Sequence, residues 1–276
     1  NSGYLYNSKE IRCFSHVHCW QLAGVPVMPT TGEVKGHKGM DAYKSTYSHE
    51  TEIVKPGYHK VELDTYQIRV ELTSTSRVGM HRYTYPAGEK ANVLFDVGAL
   101  LAHGKTEKAA IHRISSKEIG GYSVLAPTSR RKKPVTVYFV ARFNQNMTAF
   151  GGWEKEGKEK KLVHKNSIEG ADIGGYASFG KLKKQTLLMK VGISYVSEEQ
   201  ARINLEKELA HWNFDRVKED AFAEWNRELG KITVEGGSEE EKIKFYTDLW
   251  HSLLGRHTFS DFNGKYIDNT GEEPVV

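Results

Sequence analysis

A single change of hydrophobic period near Ser197 constrains this chain more than any other feature. Ahead of it, apolar residues alternate with polar ones in short runs broken by Gly, Pro, Asn and Ser; behind it, they recur every three or four residues. A period of two sends successive side chains to opposite faces of a strand, whereas a period near 3.6 lays them along one face of a helix. The chain must therefore build sheets first and helices second.

Alternation is clearest over residues 58–64, 67–73 and 78–85, each of which would bury one face and wet the other. Asp64-Thr65-Tyr66 is the expected turn of the first hairpin. Further strands are expected over 91–95, 108–115, 121–125, 135–143, 161–165, 176–179 and 186–194. Strands at such close spacing, with no amphipathic helix between them and no internal repeat, point to antiparallel sheets packed as a large sandwich.

Ser197-Glu198-Glu199-Gln200 has the form of a capping box, and Ala201, Leu205, Leu209 and Trp212 follow at helical spacing. A second stripe, Val217, Ala221, Trp225 and Leu229, runs to a stop at Gly230. Ser238 opens a third helix with Ile243, Tyr246, Trp250 and Leu253 along one face and Gly255 near its end. Residues 257–276 read as strand and turn. The three apolar faces need a partner, either the sandwich itself or a larger helical domain that they begin.

Composition narrows the function classes. A hydrophobic fraction of 38% in 276 residues, with a mean hydropathy of -0.56, describes a globular protein with a substantial core. No run approaches the roughly 18 apolar residues of a membrane helix, and Asn1 does not open a signal peptide. The net charge is +4, and the basic clusters 130–133 and 158–161 lack interleaved aromatics. They read as solvated turns, so nucleic acid is not an expected partner. No P-loop, GxGxxG, HExxH or GxSxG motif is present, which removes the usual support for nucleotide-dependent, zinc-protease and esterase chemistry. Asn146-Met147-Thr148 is a glycosylation sequon, relevant only in a eukaryotic secretory host.

The most unusual segment runs from Cys13 to Gly32, where His16, His18, Trp20 and Gln21 stand beside a Gly/Pro-rich run. One reading is a polar pocket with an aromatic platform, which suits a sugar, since hydroxyls need donors and acceptors while C–H faces stack on rings. The other is a pair of satisfied structural histidines. Cys13 and Cys19 could form a disulfide, although two separate thiols are the favoured reading. A zinc site from Cys13, His16, His18 and Cys19 is disfavoured because alternating positions point to opposite strand faces. In the last stretch, Asp261, Asn263 and Asp268 lie near Gly264 and Gly271, without the full ligand set of an EF-hand, so a plain Asx turn competes with a ligand site. Nothing in spacing singles out an acid and base pair among the 35 acidic residues.

Taken together, these segments resemble glycoside hydrolase family 92. The similarity is carried by Gly3-Tyr4, by the FSHVH string at residues 14–18 with the PVMPTTG run after it, and by VGISYVS at residues 191–197. It continues through Ala201, Asn204-Leu205, Glu208, Trp225 and Leu229 to Phe245-Tyr246, Leu249, His251, Phe259-Ser260-Asp261, Gly264 and Tyr266, in family order over nearly the whole chain. The resemblance implies a mainly β fold: a large antiparallel β-sandwich over 1–196, its first strands expected ahead of Asn1, a helical linker over 197–256, and over 257–276 the start of a truncated (α/α)6 barrel. It implies a fragment of a calcium-dependent, inverting exo-α-mannosidase, commonly of α-1,2 linkage, that removes terminal mannose from N-glycans or mannans. Such enzymes are mostly bacterial and exported, which implies a periplasmic or extracellular location.

The family's catalytic carboxylates and most of its calcium ligands are expected beyond Val276, so the chain alone is expected to be inactive. What transfers to this sequence is Asp261 as a mannose-hydroxyl ligand and His16 and His18 as pocket residues. Trp20 stands where a small polar residue often follows the motif, altering the pocket rim. The alternative is a non-catalytic carbohydrate-binding sandwich.

Overall fold

The computed structural model describes residues 6–17, 24–99, 105–129, 131–254, 258–268 and 274–276. In chain order its elements are β1 (Glu10–Ile11), β2 (Val27–Thr31), α1 (Met40–Tyr43), β3 (Ser45–Thr46), β4 (Ile53–Lys55), β5 (Tyr58–Leu63), β6 (Ile68–Ser74), β7 (Val78–Thr84) and β8 (Lys90–Phe95). There follow β9 (Thr106–Arg113), β10 (Glu118–Leu125), β11 (Val135–Phe143), β12 (Ala149–Glu156), β13 (Glu159–Val163), β14 (Ser167–Gly170), β15 (Gly174–Lys181) and β16 (Thr186–Ser194). Three helices close the series: α2 (Glu198–Glu208), α3 (Phe214–Leu229) and α4 (Glu239–Leu254).

Two antiparallel sheets face each other. The larger has the order β14-β9-β10-β11-β16-β7-β6-β5-β4 and the smaller β13-β12-β15-β8-β2, with β1 and β3 paired separately. Phe95 of the small sheet stacks on Phe139 of the large one at 6.0 Å between ring centroids, and Phe179 meets Phe143 edge-on at 4.8 Å. These aromatics, with Val61, Val70, Tyr83, Val93, Ile111 and Met189, form one continuous core between the sheets. The β-sandwich expected from period-two alternation is therefore present, built from the expected segments with boundaries moved by a few residues and from β2, β4, β12 and β14 besides.

The large sheet is buried on its other face as well. Val78, Met80 and Val140 point away from the sandwich and pack against Ala201, Leu205 and Leu209 of the first long helix and its cap, and against Phe214 and Val217 at the start of the next. Gly192 permits this approach: a Cβ there would lie 2.8 Å from the Cβ of Leu205. Ser197 caps α2 by accepting from the Gln200 N–H. Lys190, buried beneath the helix end, donates to the Leu209 carbonyl at 2.8 Å and lies 4.0 Å from the Trp212 ring centroid. Burial pulls its ammonium pKa down to about 8. The Arg82 guanidinium holds Glu71 on the sheet and Asp215 at the start of α3, with the Phe214 ring against it.

Several elements depart from the sequence reading. Trp212 was expected on the first helical stripe, but α2 ends at Glu208 and Trp212 covers Lys190 from the connection instead. Strand β2 contains Pro29, and β12 contains Gly151-Gly152, residues of low strand propensity that break the alternating pattern in both. The short helix α1 interrupts what was read as an all-β stretch.

Ala221 and Trp225 of α3 lie beside the turn at Gly57 and Trp250 of α4 borders the same end of the sheet, but most of the remaining helical surface stands clear of the sandwich. No residue of α4 is buried, Ile243 is 65% exposed and Phe222 49%. Leu205→Ala should therefore cost this chain roughly 2–5 kcal/mol in equilibrium denaturation. Ile243→Ala should change stability by less than about 0.5 kcal/mol. Equal costs at the two positions would contradict this division.

Candidate functional site

The segment carrying the FSHVH string folds back on the start of β2. Phe14 and Val27 exchange both backbone hydrogen bonds at 2.8 Å, and the His16 N–H donates to the Gly24 carbonyl at 3.2 Å. This pairing brings the His16 ring over β7. Its Nδ1 lies 2.7 Å from the Val25 carbonyl oxygen, and its Nε2 lies 2.7 Å from the Nε2 of His81. His81 in turn meets the Tyr83 hydroxyl through Nδ1 at 2.7 Å. Gly79, two residues before His81 on the same strand face, leaves room for the ring: a Cβ there would lie 2.9 Å from the His16 Cδ2.

Val25 is fully buried with φ 49°, a left-handed conformation that a β-branched residue rarely adopts. Strain of this kind persists only where the surroundings over-determine it. Here it aims the Val25 carbonyl at His16.

These residues border a cavity of about 430 Å³ at the β6–β7 end of the sandwich. Phe14, His16, His59, Gly79 and His81 line it from the sandwich side, and Tyr58, Thr73, Thr75, Arg77 and Trp250 from the helix side. No carboxylate stands among the described residues that line it. The walls offer aromatic rings, imidazoles, hydroxyls and two cationic side chains, Lys55 and Arg77, but no group to act as a general acid or base of the glycosidase type.

Burial sets the charge of the histidine pair. The His16 pKa is pushed down to about 4 by desolvation, partly offset by the Val25 carbonyl, and that of His81 falls well below its ordinary value by desolvation and by proximity to His16. Both rings are neutral at pH 7.

Asp261 occupies a different place. It is 2% exposed, and its two carboxylate oxygens accept from the Asn204 Nδ2 at 2.7 Å and the Ser194 Oγ at 2.9 Å. Asn204 also accepts from the Phe262 N–H and donates to the Ile193 carbonyl, so one α2 side chain joins β16, α2 and the 258–268 segment. Arg77 secures the same segment by donating to the Ser260 carbonyl at 2.6 Å while pairing with Glu208. Burial raises the Asp261 pKa against the opposing effect of its Asn204 and Ser194 donors. Asp261, expected to meet a mannose hydroxyl, has both oxygens engaged internally, is enclosed and does not line the cavity. The loop beyond it is an Asx turn, with Asn263 Oδ1 accepting from the Lys265 N–H at 3.3 Å.

His16 lines the cavity, while His18 and Trp20 lie outside the described residues. His81, Arg77 and Trp250 are brought to the site by the fold and were not singled out from the sequence. Both nitrogens of His16 are engaged, which removes it from a zinc site, and no three His, Cys, Asp or Glu side chains among the described residues are grouped to hold a metal ion. The described residues therefore offer no cluster of three acidic, histidine or cysteine side chains around which a calcium ion could be held.

The chain matches the glycosyl hydrolase family 92 N-terminal domain over residues 1–194 and the glycosyl hydrolase family 92 catalytic domain over residues 200–274. Among solved structures it is similar to a family GH92 alpha-mannosidase of Bacteroides thetaiotaomicron, with 29% identity, a TM-score of 0.82, and coverage of 96% of this chain and 37% of that one. That mannosidase has also been solved in complex with mannoimidazole. An inverting mannosidase of the same family and organism shares the fold at 22% identity and a TM-score of 0.81, over 98% of this chain and 36% of its own. A protein of Arthroderma benhamiae described as an uncharacterized secreted glycosidase is 22% identical over 99% of this chain and 37% of its own length. The chain thus spans little more than a third of the relatives it matches. No helix among the described residues is long and apolar enough to cross a membrane.

A pH dependence follows from the neutral pair. Unfolded histidine takes up a proton near pH 6.5, whereas folded His16 does so only near 4, so the unfolded state binds more protons between those values. Stability should be intact above pH 6.5 and decline as pH falls toward 4, by about 3 kcal/mol from His16 alone. Urea denaturation across this range should show a steeper loss for the native chain than for His16→Gln. Identical slopes would contradict a neutral His16 in the native chain.

Proposed function

This chain belongs to glycosyl hydrolase family 92, and from that premise we propose that the whole protein is an inverting exo-α-mannosidase acting on terminal mannose of N-glycans or mannans. The observation that carries this reading is the His16 cavity, placed at the seam between the sandwich and the helical segment that matches the catalytic domain. In this reading the cavity holds part of a mannosyl residue. The rings of Phe14, His16 and Trp250 provide apolar wall, and Arg77 and the threonine hydroxyls provide polar edge.

Inverting hydrolysis needs a carboxylic acid to protonate the leaving oxygen and a carboxylate to activate a water on the opposite face of the sugar. The described residues that line the cavity include no carboxylate and supply neither. Both groups, and the ligands of the calcium that the resemblance implies, belong in this reading to parts of the whole protein outside this chain. Calcium would organise the sugar hydroxyls there. Asp261 holds the seam that brings those parts to the cavity, and the location is periplasmic or extracellular.

The second reading, a self-sufficient carbohydrate-binding sandwich, requires the helices to bury their apolar faces on the sheet. The exposure of Phe222 and Ile243 disfavours it.

The test is mannose release from α-linked mannobioses by the whole protein and by this chain alone, with and without chelator. Release by the whole protein only, abolished by chelator and restored by calcium, is expected. Turnover by this chain alone, or none by the whole protein on any α-mannobiose, would contradict the reading.

A further inference from the structure

The contacts around His16 admit one arrangement of protons. The Val25 carbonyl can only accept, so His16 Nδ1 carries the hydrogen and, in the neutral ring, His16 Nε2 is a bare acceptor. His81 Nε2, 2.7 Å away, must then donate, which leaves His81 Nδ1 bare and makes the Tyr83 hydroxyl its donor. The donors run in one direction, Tyr83 to His81 to His16 to Val25. Reversing any link would oppose two hydrogens or two lone pairs in a buried site, at a full desolvation penalty.

We propose that His81 and Tyr83 are positioning residues for His16, fixing its tautomer and orientation so that it meets a sugar through its ring carbons and offers no nitrogen to a hydroxyl. This rests on the reading that the cavity takes a mannosyl ring. Three further observations support it. Tyr83 is fully buried in the sandwich core and cannot itself touch a ligand. Gly79 leaves the space that the His16 ring fills. The strained Val25 backbone is held with its carbonyl on His16, so the ring is anchored at both nitrogens. A wall built this way selects the C–H face of a pyranose, and specificity for hydroxyls falls to the other side chains of the cavity.

Tyr83→Phe tests this without altering the cavity lining, because it deletes one buried hydroxyl and retains the ring. Side-chain nitrogen spectra of this chain at pH 7 should show His16 protonated at Nδ1 only and His81 at Nε2 only, with the His81 Nδ1 signal displaced in Tyr83→Phe. In the whole protein the same variant should raise KM for an α-mannobiose about threefold to tenfold, the effect of one lost hydrogen bond, with kcat within about twofold. His81→Asn, whose amide cannot span both partners, should move KM in the same direction. A His16 ring protonated at Nε2, or unchanged spectra and KM in both variants, would overturn the proposal. His16→Ala separates the two levels: if it raises KM while Tyr83→Phe and His81→Asn are silent, only the positioning role fails. If His16→Ala leaves KM unchanged, the reading of the cavity as the sugar site fails, and the positioning role with it.

Discussion

Alternation along β7 sends Gly79, His81 and Tyr83 toward the sandwich and Val78, Met80 and Arg82 toward the helices, so this strand is buried on both faces. The rest of the molecule depends on that double burial. On one side the strand supplies the hydrogen-bonded chain that holds His16 at the cavity wall. On the other it supplies the apolar and ionic surface on which α2 and the first turns of α3 dock. A one-residue slip would exchange the two sets, putting His81 under a helix and Met80 in the cavity. Its register is fixed by pairing on both edges, with His81 opposite Leu72 of β6 and Met189 of β16.

The seam between sheet and helices is built differently from the core. Buried polar groups hold it: Asp261 with Asn204 and Ser194, Arg77 with Glu208 and the Ser260 carbonyl, Lys190 under the Leu209 carbonyl. Each group has partners, as burial of charge demands. Such pairs contribute less to stability than to geometry, since removing one partner strands the other in a dry site. The cavity opens beside this seam, so the groups that fix how the helical segment leaves the sandwich also fix one side of the cavity.

Much of this architecture is legible in the sequence because the physical signals are local. The period-two runs at residues 58–85 and the capping box at Ser197 correspond to β5, β6, β7 and α2. Strands β2 and β12 escaped because Pro29 and Gly151-Gly152 are tolerated there by long-range packing that no window of sequence displays. The company His16 keeps in the sequence left a pocket residue and a structural histidine both open. Its partners were out of sight, since His81 sits in an ordinary alternating strand 65 residues away and its role appears only when the two rings are brought within 2.7 Å. The partners of Asp261 were equally out of sight: a motif match marks a residue as constrained, and only the fold shows it held between Asn204 and Ser194.

In the proposed function, the cavity bounded by His16, His81, Arg77 and Trp250 receives a mannosyl ring. A crystal structure of the whole protein with a mannose-derived inhibitor tests it most directly. A pyranose with carbon atoms within about 4 Å of the His16 ring carbons is expected. An inhibitor bound elsewhere, with the cavity filled by side chains of the protein itself, would contradict it.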